Sequence, residues 1–421
     1  MMIYDLIIIG AGASGCMAGI QASRRGASVL LLERNEKIGK KLYITGKGRC
    51  NLTNDSDIQT HLNNTINGSK FMNSAIRKFD AKSTMEFFEA YTPLKVERGN
   101  RVFPISDKSS DIISALQKYI NSSGCELRLN TKVEDISKVD NKFNILCNNG
   151  DTYTAYNVLI STGGRAYSAT GSSGDGYKFA KKFGHNVIPI KPALVPIILK
   201  DDVSKLEGLS LKFVQASVEI NGKEVASEFG EMLFTDNGVS GPIVLTLSSK
   251  INKYDLNNAK FCIDFKPKLS YEVLDAKIIR EAGEFAKKDL STYLKTMLPS
   301  NFVPFFIKKL RLNDKKVSEI TKQDRNMLIE GLKKFDLSIK MLDNIEKAII
   351  TSGGVDTNEI SPKTFESKIV EGLYFSGEVL DIDALTGGFN LQIAFATGYV
   401  VGDNVRIRWF FGFASVCVFR L

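Results

Sequence analysis

Histidine is nearly absent from this chain: His61 and His185 are the only two among 421 residues, and tryptophan occurs once, as Trp409. The six cysteines (Cys16, Cys50, Cys125, Cys147, Cys262, Cys417) are scattered without a CxxC pair. That combination argues against a zinc site and against a dithiol redox centre, so no metal is expected. Long apolar runs are missing too. None approaches the roughly 20 residues needed to span a bilayer, and Asp5 stands where a signal peptide would carry basic residues. The expectation is a cytoplasmic protein without a membrane partner. What is present fits a globular chain, 43% hydrophobic and 24% charged, and long enough for two or three domains. The net charge of +9 comes mostly from lysines, denser at 277–295 and 308–334. An anionic cofactor and a nucleic acid would both profit from that field, so charge alone decides nothing and nucleic acid is not the expected partner.

Residues 4–33, YDLIIIGAGASGCMAGIQASRRGASVLLLE, hold a strand, a glycine-rich turn, a helix, a second strand and a terminal acid. This order suits an ADP moiety. Gly10 allows the tight turn, Gly12 lets the backbone approach a pyrophosphate, and Gly15 lets helix and strand pack closely. The first N–H groups of the helix, around Ala13 and Ser14, then face the phosphates. Glu33 ends the second strand, where a carboxylate can accept from ribose hydroxyls.

Further along, residues 35–54 form a basic, glycine-bearing loop without apolar periodicity. Helical spacing follows at 73–91 and 109–122. Short strands are expected at 126–129, 133–139 and 143–147, then at 157–161, running directly into Thr162-Gly163-Gly164. From about Lys191 the pattern turns antiparallel, with Asn221-Gly222 a strong hairpin signal. Lysine-rich helices are expected over 271–334, and short apolar runs at 335–339 and 347–350 return the chain to strands. The last elements are a strand at 372–376 and a helix from 390 to 401.

Three glycine-rich elements, Gly10–Gly15, Thr162–Gly164 and Gly377-Glu378, must converge if they follow strands of one doubly wound sheet, because ligands sit at the carboxyl ends of such strands. A nicotinamide alone needs the first. An extended cofactor with ADP at one end and a ring system at the other uses all three, which favours FAD. Glu378 then lies near ribityl hydroxyls or pyrophosphate. The helix starting near Gly388 and Asn390 aims its positive end at the flavin C2 carbonyl. The expected fold class is therefore α/β: a discontinuous Rossmann-like FAD-binding domain (1–190 plus 353–404), glutathione-reductase-like and three-layered. It carries an inserted antiparallel β-barrel-like domain (191–270 plus 335–352) and a small helical domain (271–334), the insertion capping the flavin's reactive face.

The stretches IIIGAGASGCMAG, IGKKLYITGKGRCNLTN, RVFPISDKSSDII, STGGRAYSATGSSGDGYKFAKKFGH, ITSGGVDTNEISPKTFESKIVEGLYFSGEVLDID and TGGFNLQIAFATGY closely resemble the bacterial FAD-binding family of BaiN-like or YhiN-like NAD(P)/FAD-dependent oxidoreductases, in order over nearly all of residues 2–404. The resemblance implies that Gly10, Gly12, Ala13, Ser14 and Gly15 hold the pyrophosphate, with Glu33 and Arg34 at the adenosine. It implies that Lys40, Lys41, Thr45, Gly48, Arg49, Cys50 and Asn51 run along the flavin, and that Val133 brackets the adenine through its backbone. Thr162, Gly163, Gly164, Gly377, Glu378, Asp381, Gly388, Phe389, Asn390 and Leu391 complete the envelope. In activity it implies a reductase of bile-acid enones or an aminoacetone oxidase.

The function expected is an FAD-dependent oxidoreductase acting on a small molecule, with NAD(P)H as a transient donor, since no second GxGxxG offers a dedicated nicotinamide site. An amine oxidase using oxygen, an RNA-modifying flavoprotein and a non-catalytic FAD-binding protein stay open. No catalytic residue is assigned. Cys50 reads as a small residue packed beside the cofactor, with no second cysteine nearby to resolve a disulfide. His61 and His185 read as surface or packing residues. Tyr167 is a proton donor or an aromatic wall. The aromatic segment 405–421, with no acid after Asp403, departs from the family pattern, and a chain stopping at Asn404 is expected to keep its cofactor.

Overall fold

The computed structural model describes residues 2–408 and divides into two compact units, one formed by the chain up to Ile190 together with the chain from Ser352 onward, the other by Lys191–Thr351. The first unit is built on β1 (Ile3–Ile9), α1 (Ala13–Arg24) and β2 (Val29–Leu32). Both strands are buried almost along their whole length, which is why they read as unbroken apolar runs, as central parallel strands do. The sheet continues with β3 (Glu126–Arg128), β4 (Val133–Val139), β5 (Lys142–Cys147), β6 (Thr152–Ile160) and β7 (Leu373–Phe375).

β3, β2, β1 and β6 lie side by side in parallel. Along its far edge β6 is shared: its first half pairs antiparallel with β5, which pairs antiparallel with β4, and its last three residues pair in parallel with β7. In register, Leu32, Ile9, Ile160 and Phe375 stand in one row. Each is the last or next-to-last apolar residue before a polar or glycine-rich segment, so these segments leave the sheet at one edge.

α2 (Asp175–Lys182) and α3 (Phe389–Asn404) follow β6 and β7. α3 lies against α1 at backbone contact distance. A Cβ on Gly398 would stand 2.1 Å from the Ser14 carbonyl oxygen, and one on Gly402 would stand 2.5 Å from that of Ala18. Two glycines one helical turn apart thus remove the side chains that would hold the helices apart.

The second unit contains a closed antiparallel barrel. Its strand order is Ile197–Leu199, Gly238–Ser240, Lys223–Phe234, Ser210–Ile220, Ala259–Asp264 and Phe335–Leu342, the last pairing back onto the first. The Asn221-Gly222 turn joins the two longest strands, with both residues at positive φ. The four helices Tyr271–Glu284, Leu290–Leu294, Val303–Lys309 and Lys322–Lys333 share the barrel's core: Phe302 and Phe306 pack on Phe335 and Phe265.

Several elements differ from their sequence pattern. The helical stretch expected over 73–91 is two helices, Ser69–Lys78 and Ala81–Glu89, because Asp80 leaves helical geometry and accepts from the Ser83 N–H at 2.8 Å as a cap. The strand expected at 347–350 begins at Ile350 and runs to Val355. Of the two alternatives left open for His61 and His185, surface or packing, both take the second and lie in the interior.

Candidate cofactor and active site

At the carboxyl edge of the sheet, three separate segments are tied together by hydrogen bonds. The Ser161 hydroxyl donates to the carbonyls of Ile9 and Gly10 at 3.0 and 2.9 Å, fastening the end of β6 to the first glycine turn. The Ser376 N–H donates to the Ile160 carbonyl, and the Ser14 hydroxyl to the Ser376 carbonyl at 3.4 Å. Thr397, on α3, accepts from the Gly377 N–H at 3.0 Å. The spacing is tight enough to require the glycines: a Cβ on Gly15 would fall 2.0 Å from the Gly10 oxygen, and one on Gly377 2.7 Å from the Ser14 hydroxyl. Ser161, Thr397 and Gly398 escaped the sequence reading, although the i, i+4 glycines of α3 were a visible signal.

One side of this junction is open. A Cβ on Gly12 would meet nothing within 4 Å, and α1 starts there without a side-chain cap, leaving its first N–H groups to an external acceptor. Glu33 is buried beside it. Its carboxylate accepts from the Ala11 N–H at 2.8 Å and from the Asn35 N–H and amide at 2.8 and 2.7 Å. The Thr131 N–H reaches the Glu33 carbonyl, which brings the segment leading into Val133 to the end of β2. Arg34 turns toward the 163–174 loop, pairing with Asp175 at 3.1 Å and with the Ser173 hydroxyl at 2.7 Å. These features fit the pyrophosphate and adenosine of FAD, whose phosphates need donors and whose ribose needs a fixed carboxylate.

The remaining residues divide into two groups. Lys41 forms an ion pair with Glu378, bridging the loop after β2 to the segment after β7, and its ammonium lies 5.9 Å from the Tyr167 ring centre. Asn51, in the amide orientation that satisfies both its ends, accepts from the Gly388 N–H at 3.0 Å and donates to the Thr53 carbonyl at 3.2 Å. Gly388 itself, at φ 103°, lies so close to Thr53 that a Cβ would sit 2.3 Å from its oxygen. Tyr177 lies in α2; its hydroxyl is buried without a partner among the described residues, and the charges of Glu378 and Asp381 act on it. Burial, first, and those carboxylates push its phenol far above the ordinary range.

The second group is engaged elsewhere. Arg49 stacks on Phe103 at 4.1 Å and pairs with Glu97 and Asp107. Lys40 pairs with Glu36, and the Thr45 hydroxyl donates to the Leu42 carbonyl. Asp381 accepts from the Asn67 amide. Asn390 holds the backbone of Ala384 at 2.7 and 2.9 Å, and Phe389 packs edge-on against His61. Gly48, Gly163 and Gly164 contribute backbone, and Leu391 packs against the core. Cys50 is fully buried, and burial pushes its thiol up to about 12, so it carries no thiolate at neutral pH.

Compared with known proteins, residues 4–404 match the model of the HI0933-like protein Rossmann domain family. The chain belongs to that family. A 3-dehydro-bile acid delta(4,6)-reductase of Clostridium scindens is 31% identical, across 95% of this chain and 98% of its own length. A ribosomal RNA dihydrouridine synthase of Escherichia coli is 30% identical, across 96% and 98%. Among solved structures, a 3-ketosteroid delta1-dehydrogenase of Sterolibacterium denitrificans superposes with a TM-score of 0.50 over 96% of this chain and 99% of its own, at 13% identity, which speaks for the fold alone. As an HI0933-like protein the chain is an FAD-dependent oxidoreductase with a Rossmann-like α/β fold and an inserted antiparallel barrel. Among the described residues no helix is long and apolar enough to cross a membrane.

Proposed function

We propose that this protein holds FAD along the junction of Gly10–Gly15, Thr162–Gly164 and Gly377-Glu378 and reduces a carbon–carbon double bond conjugated to a carbonyl in a small organic acceptor, with NAD(P)H as the transient donor. FAD, when bound, supplies two-electron hydride chemistry. The chain's part is to bind and to orient. The Gly12 backbone and the first N–H groups of α1 take the pyrophosphate, and Glu33 takes the adenosine ribose. Glu378, steadied by Lys41, takes the ribityl hydroxyls. The Gly388 end of α3, with Asn51 beside it, presents a positive helix end where negative charge accumulates on reduction.

The observation that carries the acceptor class is the chemistry shared by the two relatives. A delta(4,6)-reductase acting on a 3-oxo steroid saturates double bonds conjugated to that ketone, and a dihydrouridine is a uridine whose 5,6 bond, conjugated to the C4 carbonyl, has been saturated. The same shared chemistry supports a second reading, in which the conjugated bond is the uracil of a ribosomal RNA; the net charge of +9 is compatible with it.

The test is anaerobic. The purified yellow protein is mixed with NADH or NADPH, flavin bleaching is followed, and an enone is then added. Bleaching followed by return of colour supports the proposal; no bleaching, with fast reduction by an amine under the same conditions, would replace it with an oxidase. For the RNA reading, ribosomal RNA should bind with a steep salt dependence and gain dihydrouridine on turnover.

A further inference from the structure

Tyr167 adopts a backbone conformation that its residue type disfavours. It stands at φ 58°, ψ 52° in the loop after β6, in the left-handed region that a bulky side chain adopts only under strain. The turn itself is well held: the Thr170 N–H and hydroxyl both donate to the Tyr167 carbonyl at 2.8 Å. Further along the loop, Asn35 donates to the Thr170 carbonyl at 3.0 Å, and Arg34 holds Ser173 and Asp175. Glycine or asparagine would make this turn without strain, so the turn alone does not call for a tyrosine.

What the tyrosine adds is a half-buried ring beside the Lys41 ammonium, which Glu378 holds in place at the junction of the three glycine segments. The ring is only half-buried, which leaves it open to a ligand or solvent. We infer that Tyr167 is the proton donor that completes reduction of the conjugated double bond, with Lys41 as its electrostatic partner. This rests on the function proposed above.

The step balances as follows. Hydride, drawn from reduced FAD, forms a C–H bond at the carbon β to the carbonyl, and the π pair moves to the carbonyl oxygen. The Tyr167 O–H bond then breaks and a C–H bond forms at the α carbon as the carbonyl is restored. The phenolate left behind is stabilised by the Lys41 charge until water reprotonates it. Overall the acceptor gains one hydride and one proton, and FAD returns to its oxidised form.

The experiment uses the full chain loaded with FAD, photoreduced without oxygen and mixed with cyclohex-2-en-1-one or a 4-en-3-one steroid. Tyr167→Phe should slow reoxidation by about 100-fold, as loss of a positioned acid does. FAD affinity, melting temperature and photoreduction rate should stay unchanged. Lys41→Met, compared at saturating FAD because Lys41 also steadies Glu378, should slow the same step about tenfold, and wild-type reoxidation should show a solvent deuterium isotope effect; if Tyr167→Phe does not fold, absence of both effects overturns the inference. Wild-type reoxidation rates in Tyr167→Phe, or loss of FAD from that variant, would overturn the inference while leaving the proposed function intact. A wild-type enzyme that neither enone reoxidises would overturn the proposed function itself, and this inference with it.

Discussion

A carboxylate that accepts three N–H bonds within 2.8 Å, as Glu33 does, is fixed in place before any ligand arrives. Glu33→Gln replaces one of its acceptor oxygens with a donor that faces donors. Because hydrogen bonds to a charged group are worth about 1.5–3 kcal/mol, FAD affinity should fall at least tenfold, measurable by fluorescence titration of the apoprotein. The two histidines make a different point. The His61 Nε2–H donates to the Asn54 carbonyl at 2.8 Å. His185 donates from Nδ1 to Glu359 at 2.9 Å and accepts from the Ser367 hydroxyl at 2.8 Å, a Ser–His–Glu line whose serine oxygen already accepts from the Ile369 and Val370 N–H groups. That oxygen is a structural link, not a nucleophile. Burial lowers the pKa of both rings below the ordinary 6.5, so the unfolded chain binds more protons than the folded one as pH drops through that value. Stability contributed by the neutral rings is present above pH 6.5 and is lost as pH falls through their lowered folded-state values. Thermal melts should show this decline, and it should be shallower in His185→Gln than in the wild type.

Among the elements, the crossing of α1 and α3 does most to shape the site. It brings the helix that begins at Gly388 within reach of the turn at Gly12, and it depends on Gly398 and Gly402 having no side chain. Gly398→Ala must push the helices apart against the Ser14 carbonyl. The expected cost is about 1–3 kcal/mol, seen as a lower melting temperature. It should come with weaker FAD retention, because Thr397, the neighbouring residue, holds Gly377. The strands tell a simpler story. β1 and β2 were readable as buried parallel strands from their unbroken apolar runs, and the Asn221-Gly222 hairpin from its turn residues. Less readable was the sharing of β6 between β5 and β7, since nothing local in Thr152–Ile160 marks where one neighbour gives way to the other.

For the molecule as a whole, the chain end is not uniformly dispensable. Val405 is buried, and its carbonyl accepts from Arg25 at 3.1 Å. The Arg406 carbonyl accepts from Asn157 at 3.0 Å, and Arg408 stacks 4.2 Å over Tyr156. Residues 409–421 lie outside the described residues. Compared with a chain ending at Arg408, one ending at Asn404 should therefore lose about 2 kcal/mol for the buried valine alone, with more for the exposed amide of Asn157. Denaturant titration of the two truncations checks this, and FAD retention by the chain ending at Asn404 separately tests the expectation that it keeps its cofactor.

Some features of this protein are local and were settled by the sequence: the glycine turn, the acid that ends β2, the hairpin, the α/β order, and the family resemblance that the HI0933-like match then established. They follow from backbone freedom and from periodicities within a few residues of each other. Only the tertiary structure decided which side chains meet. Lys41 finds Glu378, 337 residues away in the chain, and Ser14 finds Ser376, 362 residues away. Arg49, only eight residues after Lys41, turns instead to Glu97 and Asp107. Such contacts depend on how the sheet register and the α1–α3 crossing bring distant segments to one edge, and no spacing within a single segment encodes that.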